Sequence, residues 1–268
     1  GTGPHGALYH VKSNGQFSVV FRADEKYVLS LFSDPANADN LFVGTGGGSS
    51  KIYLVKGNKV QSLATLLSEQ ILSITSSYQP GHVVVATGNP GTIVDVAPDG
   101  KRKTLYDAGD SAINSIINDK SGLVFSTSPR SSLLRLTSDG SVTTLYDKSA
   151  GAIFGIARPT QVNSSSSVFS RGFAISGNQV ISISEDGIVK PVFSQREEDF
   201  SAIATGEQTT WFASSNPATL YTLSKNAAKS ASYTSVVRDC KSMSQWGVLR
   251  LNANVPSGAN LVISTRTG

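Results

Sequence analysis

Thr87-Gly88-Asn89-Pro90-Gly91-Thr92-Ile93-Val94-Asp95-Val96, closing on Pro98-Asp99-Gly100, is a phrase that the chain keeps rewriting. The same words stand at Thr2-Gly3-Pro4-His5-Gly6-Ala7-Leu8-Tyr9-His10-Val11 and at Thr45-Gly46 running into Ile52-Tyr53-Leu54-Val55. They return at Ser128-Pro129-Arg130 before Leu133-Leu134-Arg135-Leu136, and more faintly at Gly177-Asn178 before Val180 and at Asn216-Pro217 before Leu220. The anchors Leu8, Ile52, Ile93, Leu133, Val180 and Leu220 recur about every forty residues, the period that short strands make in radial β-architectures.

Around each anchor lie four short apolar runs. In the clearest copy Ile113-Asn114-Ser115-Ile116-Ile117 alternates, Asn118 to Gly122 turns the chain, and Leu123-Val124-Phe125-Ser126-Thr127 follows. The Ser128-Pro129 loop, residues 133–136, the Asp139-Gly140 turn and residues 142–146 complete it. Period-2 alternation between Asp-Gly, Asn-Gly and Pro-containing turns is the hairpin signature, and four strands so joined form one antiparallel propeller blade. Five complete copies fit, at about 27–66, 71–107, 113–147, 153–194 and 200–235. A sixth shows only its outer pair, residues 8–11 and 17–21. No stretch sustains a 3.6-residue apolar period, so helix is expected to be minor.

The expected fold is therefore all-β, a β-propeller of four-stranded antiparallel blades with six or seven blades in the intact ring. An open propeller exposes two sheet edges. Either the missing inner strands precede residue 1, or the C-terminal runs 248–251 and 261–265 complete the first blade. Residues 1–235 are read as propeller repeats. Residues 236–268 leave the period and read as its closing strands or as the first hairpin of a following β-sandwich. The Ser-rich insertion at 160–170 is expected to be a surface loop.

Composition narrows the function classes. Of 268 residues, 16% are charged, and the net charge is +4. The densest basic cluster is Lys101-Arg102-Lys103, too little for the concentrated basic face that nucleic-acid binding takes. No apolar segment is long enough to span a bilayer. Cys240 is the lone cysteine, so no internal disulfide exists. No signal peptide opens the chain.

With the repeats laid out, the chain resembles a family of bacterial β-propeller proteins of uncertain function, described as WD40-like or NHL-like. Its units are similar to the pattern "ATG-x-x-G-x-I-Y-R-V-x-x-D-G-K-x-x-x-L-Y-D" followed by "I-x-A-L-A-x-D-x-x-G-N-L-Y-V", best at residues 86–107 and 123–147. The resemblance covers roughly residues 3–235, and it implies a secreted, periplasmic or cell-surface setting with further blades upstream. Gln245-Trp246-Gly247-Val248-Leu249-Arg250 looks like the strand that opens a C-terminal β-sandwich in that family. True WD40 repeats close on Trp-Asp and open on Gly-His, and no blade here closes or opens in that way. The Asp-Gly turns at Asp99, Asp139 and Asp186 lack the aromatic of a sialidase-type Asp box.

Chemistry-bearing groups are sparse. His5, His10 and His82 fall in distant repeats and are read as surface or edge residues, with no metal-ligand spacing among them. Gly44-Thr45-Gly46-Gly47-Gly48 is followed by a strand rather than a helix, so it reads as an inter-strand turn and not a dinucleotide loop. Phe21, Tyr106, Tyr146 and Phe193 recur at the ends of outer strands and are expected to pack between blades, and Trp211 is expected in the core.

The carboxylates are the most suggestive set. Loops leaving one blade for the next share a face with the loops joining second and third strands. That rim collects Asp24, Glu25, Glu69, Asp107, Asp110, Asp147, Glu198 and Asp199, interrupted by Lys26, Arg130, Lys148 and Arg196, whereas the opposite face collects Lys12, Lys56, Lys59, Lys101, Arg102, Lys103 and Lys190. Simple solvation of loops accounts for such charges. As a site, the acidic rim suits a cationic or polyhydroxylated partner, or calcium, whose oxygen ligands several loops would supply. No other cofactor is expected. The leading functional expectation is a non-enzymatic platform for a protein or carbohydrate. The alternatives are a carboxylate-dependent hydrolase or lyase at the channel mouth and a structural spacer.

Overall fold

Apart from one bridge between Gly46 and Gln70, the described strands pair with their neighbours in the chain, and every pairing is antiparallel. The computed structural model describes residues 1–109, 112–119, 121–148, 152–158, 172–184, 188–195, 198–206, 209–223, 230, 232, 235, 241–242, 247–253, 255 and 257–265. It divides into two units, 1–227 and 228–268.

The first unit opens with a two-stranded sheet, β1 (Ala7–Val11) and β2 (Phe17–Arg22). Four full blades follow. They are β3 (Tyr27–Ser33), β4 (Leu41–Gly46), β5 (Ser50–Lys56), β6 (Lys59–Leu66); β7 (Gln70–Ser76), β8 (Val83–Gly88), β9 (Thr92–Val96), β10 (Arg102–Asp107); β11 (Ala112–Asp119), β12 (Gly122–Ser128), β13 (Ser131–Leu136), β14 (Val142–Lys148); and β15 (Ile153–Ala157), β16 (Gly172–Ser176), β17 (Gln179–Ile183), β18 (Val189–Ser194). The last blade shows β19 (Phe200–Thr205), β20 (Thr210–Ser215) and β21 (Ala218–Leu223). Its expected fourth strand falls mostly outside the described residues, as does the 160–170 insertion. No helix occurs among the described residues. The expected copies at 27–66, 71–107, 113–147 and 153–194 match these four blades, and the fold is a β-propeller.

The core is a series of junctions rather than one centre. Phe42 and Ile52 of one blade meet Ile71, Val83, Val85 and Val94 of the next. Val84, Ala86 and Ile93 then meet Ile113, Leu123 and Phe125. Val124 and Leu133 meet Ile153 and Ala174, and Phe173, Ile175 and Val180 meet Phe200 and Phe212. Leu8 of the first sheet packs with Val28, Val43 and Tyr53 in the same way. In the four full blades each second strand is thus covered on both faces. This explains why Val83-Val84-Val85-Ala86 and Leu123-Val124-Phe125 are continuous apolar runs rather than alternating ones. The recurrent outer aromatics do pack between blades: Phe21 lies 5.3 Å from Tyr53, and Tyr106 lies 5.0 Å from Phe125.

Innermost strands touch in succession, β3 to β7 to β11 to β15 to β19. Their serines and threonines reach across: Ser30 Oγ donates to the Ile71 carbonyl, Ser73 Oγ accepts from Ile116 N–H, and Ser115 Oγ accepts from Ile156 N–H. A β-bulge interrupts each innermost strand at Leu29, Leu72, Asn114, Phe154 and Ser201. A second interrupts each outermost strand at Val20, Leu63, Leu105, Leu145 and Val192. From each outer bulge to the next inner one the interval is the same. Bulges add local twist, so every blade is twisted at the same two points.

The quoted phrase closes the turn between second and third strands. Thr87 Oγ1 donates to the Pro90 carbonyl at 2.8 Å and accepts from Thr92 N–H at 2.8 Å. Thr2 with Ala7, Thr45 with Lys51, and Ser214 with Pro217 and Thr219 repeat the arrangement. Of the Gly-rich segment, Gly47 and Gly48 form the expected turn at positive φ. Gly44 serves differently: it lies in β4, where a Cβ would collide with Ser30 and Ile71 of the crossing inner strands.

In the second unit, residues 248–251 and 261–265 form no strand. Val248, Leu249 and Val262 are exposed there, and a lone two-stranded ribbon with no covered face is marginal in water. Trp246 and Cys240 lie outside the described residues.

Candidate functional site

Sequence alone makes the rim where linkers enter the inner strands acidic and open. The chain folds so that much of its charge is already engaged. Glu25, just before β3, is buried, and its Oε2 accepts hydrogen bonds from Thr45 Oγ1 at 3.1 Å and Tyr53 OH at 2.9 Å. Lys51 Nζ lies 3.0 Å from Glu25 Oε1 and 3.0 Å from Asp24 Oδ2. These bonds, Glu25 first, raise the Lys51 ammonium above its ordinary range. Burial, and then the bond to Glu25, pushes the Tyr53 phenol up to about 12. A buried carboxylate needs such partners, and Glu25 finds all of them inside its own blade and linker.

Glu198 repeats the device in the last blade. Tyr221 OH lies 2.8 Å from each of its carboxylate oxygens. Hydrogen bonding by the Ser214 and Tyr221 hydroxyls holds the Glu198 carboxyl below its usual range. A buried serine pair, Ser50 with Ser68 at 3.1 Å, stands at the intervening linker. Linker side chains therefore tie the chain entering or leaving a blade to that blade's third strand.

The other expected rim residues behave separately. Asp24 is exposed apart from its Lys51 contact. Glu69 is exposed, and its backbone accepts from Gly47 and donates to Asn89. Asp107 Oδ1 caps Gly109 N–H at 2.8 Å, Asp147 Oδ1 accepts from Ser132 Oγ at 3.0 Å, and Asp199 bonds Ser215 through its carbonyl. Asp110 lies outside the described residues. Among the described residues, no three His, Cys, Asp or Glu side chains gather to hold a metal ion.

Beside these acids the rim also exposes apolar side chains. Leu67 is 99% exposed, and Phe154 is 54% exposed at the start of its inner strand. Tyr27 and Leu29 are also exposed at the start of β3. These four stand at the same end of their blades as Asp24 and Glu69.

The opposite face holds a polar layer that sequence reading missed. His82, expected at the surface, instead sets Nδ1 2.7 Å from Asp95 Oδ2, while Ser77 Oγ donates to Asp95 Oδ1 at 2.5 Å. The serine bonds the carboxylate rather than the imidazole, so the three lack the serine–histidine relay that activates a nucleophile. In the next blade Asp119 Oδ2 lies 3.3 Å from Arg158 and 3.7 Å from Arg135. Tyr78 is beside this group, and its phenol is raised by burial and then by Asp119. The neighbouring cavity, lined by Asp119, Arg158 and Ser184 with apolar side chains, holds about 20 Å³, room for one water-sized molecule. The signal for this layer was present in Thr92-Ile93-Val94-Asp95-Val96, where a carboxylate interrupts a buried run and must have a partner.

No protein-family model matches the chain, and no curated protein matches it in sequence. Solved structures do match its shape. A chain of a nidogen/laminin complex aligns with a TM-score of 0.62 at 12% identity, over 79% of this chain and 83% of that one. A structural-genomics protein of unknown function from Bacteroides thetaiotaomicron aligns at 0.54 and 12%, over 75% of this chain and 59% of that one. The WD40 β-propeller domain of Doa1 aligns at 0.54 and 11%, over 72% and 64%. At such identities the likeness establishes fold alone. No helix among the described residues is long and apolar enough to cross a membrane.

Proposed function

We propose that this propeller is a non-catalytic platform that binds a protein partner on the linker rim, in an extracytoplasmic setting. The observation that carries the reading is the exposure of Tyr27, Leu29, Leu67 and Phe154 on the rim that also bears Asp24 and Glu69. Exposed apolar side chains bordered by charge are the composition of a protein-binding surface. The acids favour a partner segment with basic residues. A fold neighbour crystallised within a nidogen/laminin complex is consistent with this use.

A hydrolase or lyase asks for two carboxyl groups facing one substrate. Glu25 and Glu198 are instead bonded to Tyr53 and Tyr221 of their own blades, and Asp24 and Glu25 both close onto Lys51. A carbohydrate partner finds few exposed aromatic planes on this rim beyond Tyr27 and Phe154.

The test is capture by the immobilised chain against a variant carrying Tyr27→Ser, Leu29→Ser, Leu67→Ser and Phe154→Ser, alongside a glycan array. A protein partner held by the parent and lost at least tenfold by the variant, with a blank array, supports the platform. Glycan binding, or partner binding that ignores the four substitutions, overturns it.

A further inference from the structure

At the end of the blades opposite the linker rim, the turns joining third to fourth strands carry cations in three successive sheets. Lys12 follows β1, Lys56 and Lys59 bracket Gly57-Asn58 between β5 and β6, and Lys101, Arg102 and Lys103 lead into β10. All six are exposed. Val11 faces Phe17 and Val55 faces Val60 across their hairpins, so Lys12 and Lys56 hold one position in two copies. The next blade breaks the series, because the one charged residue of its turn, Thr137 to Ser141, is Asp139. Lys190 stands beyond that break, on β18.

Acids in the same blades are placed differently. Asp34 and Asp39 belong to the inner turn, between β3 and β4, where Asp34 accepts from Ala36 N–H and from the Asn40 amide. Asp99 lies 2.9 Å from Lys101. The blade built from β3 to β6 therefore sorts its charge by radius, with acid on the inner turn and base on the outer one. Lys56 and Lys59 are directly opposite each other across their hairpin, where like charges repel. Among the described residues, neither has an ion-pair partner.

The kind of cation indicates the kind of anion. Five of the six are lysines, and the guanidinium of Arg102 is already engaged by the Thr65 carbonyl of the preceding blade. A lysine is a point charge on a flexible stem, without the planar fork that grips one phosphate, sulfate or carboxylate in fixed geometry. Such an arc matches many headgroups spread over a plane rather than one polyanion held in register. Val60, 39% exposed beside Lys59, adds an apolar side chain for the boundary between headgroups and acyl chains. From this arc we infer that the end of the propeller opposite the rim docks on an anionic lipid bilayer, with Lys12, Lys56, Lys59 and Lys103 against headgroup phosphates. This goes beyond the rim platform and uses the other end of the blades, so that the rim faces away from the membrane.

The test is cosedimentation with vesicles of equal parts phosphatidylglycerol and phosphatidylcholine, against vesicles of phosphatidylcholine alone. The chain is expected to partition onto the anionic vesicles only, and to be released as salt is raised. A basic residue near such a surface strengthens adsorption roughly fivefold. The triple variant Lys56→Gln, Lys59→Gln and Lys103→Gln, at exposed positions, should therefore lose at least tenfold in partitioning. Removing three charges at the rim end instead, by Arg22→Gln, Lys26→Gln and Arg130→Gln, should leave partitioning unchanged, as should the four rim substitutions to Ser. No preference for anionic vesicles, or equal loss from the two triple variants, overturns the inference. So does binding to soluble heparin without binding to vesicles, which makes the arc a site for a polyanion chain. Rim capture by the Lys56, Lys59 and Lys103 variant should match the parent, so failure of either proposal is read apart from the other.

Discussion

Tyr53 gives its hydroxyl to Glu25 across the space between the third strand of a blade and the linker that opens it. Tyr221 and Glu198 make the same bond in the last blade. A carboxylate in this position is a strap holding the linker to its own sheet.

Removing the strap should loosen the blade. Glu25→Ala leaves the buried Tyr53 hydroxyl without its acceptor and takes one of two partners each from Thr45 and Lys51, and is expected to cost about 3 kcal/mol. Tyr53→Phe should cost about 1–2 kcal/mol, with the two changes non-additive in a denaturant cycle. Asp24→Asn, at an exposed site, should change stability by less than about 0.5 kcal/mol.

Alkaline and acid limits follow from the same groups. The Tyr53 phenol and Lys51 ammonium both ionise higher in the folded chain than in the unfolded one. Their contribution is complete below pH 10; that of Tyr53 is lost as pH rises from 10 toward 12, and that of Lys51 only at still higher pH. Glu198 is displaced the other way. Its contribution is present above pH 4.5 and fades as pH falls through the lowered folded value. Urea midpoints across pH should decline at both ends, and Tyr53→Phe should flatten the alkaline limb.

Thr87 tests the turn phrase. Thr87→Val removes a hydroxyl that bonds Pro90, Thr92 N–H and Thr92 Oγ1, and should cost about 1–2 kcal/mol by thermal unfolding. Thr87→Ser keeps the hydroxyl and should retain most of that.

Asp95→Ala should destabilise by about 2 kcal/mol, because His82 and Ser77 lose their shared acceptor below a buried strand. Rim capture should be unaffected. A variant that folds normally but loses the partner would place binding on the opposite face.

Blade boundaries were legible because Asp139-Gly140, Asn89-Pro90 and their copies fix turns locally, and local chemistry is written in consecutive residues. Burial of the linker acids was not. Glu25 looks like any polar linker residue until Tyr53, far along the chain, arrives beneath it. His82 and Asp95 likewise meet only after β8 has doubled back between them. Trp211, expected in the core, and Leu220 carry the composition of a core strand but are 38% and 70% exposed, and nothing within their own repeat records whether a neighbour covers them. Sequence reports what a residue is suited to touch, and exposure depends on whether that partner is there.

The constant spacing from Val20 to Leu29, Leu63 to Leu72, Leu105 to Asn114, Leu145 to Phe154 and Val192 to Ser201 has an engineering corollary. Length variation among the copies is confined to the loops inside blades. Circular permutants and grafted cassettes should therefore be opened at Gly57-Asn58 or Asp139-Gly140, leaving each crossover from one wedge to the next uncut.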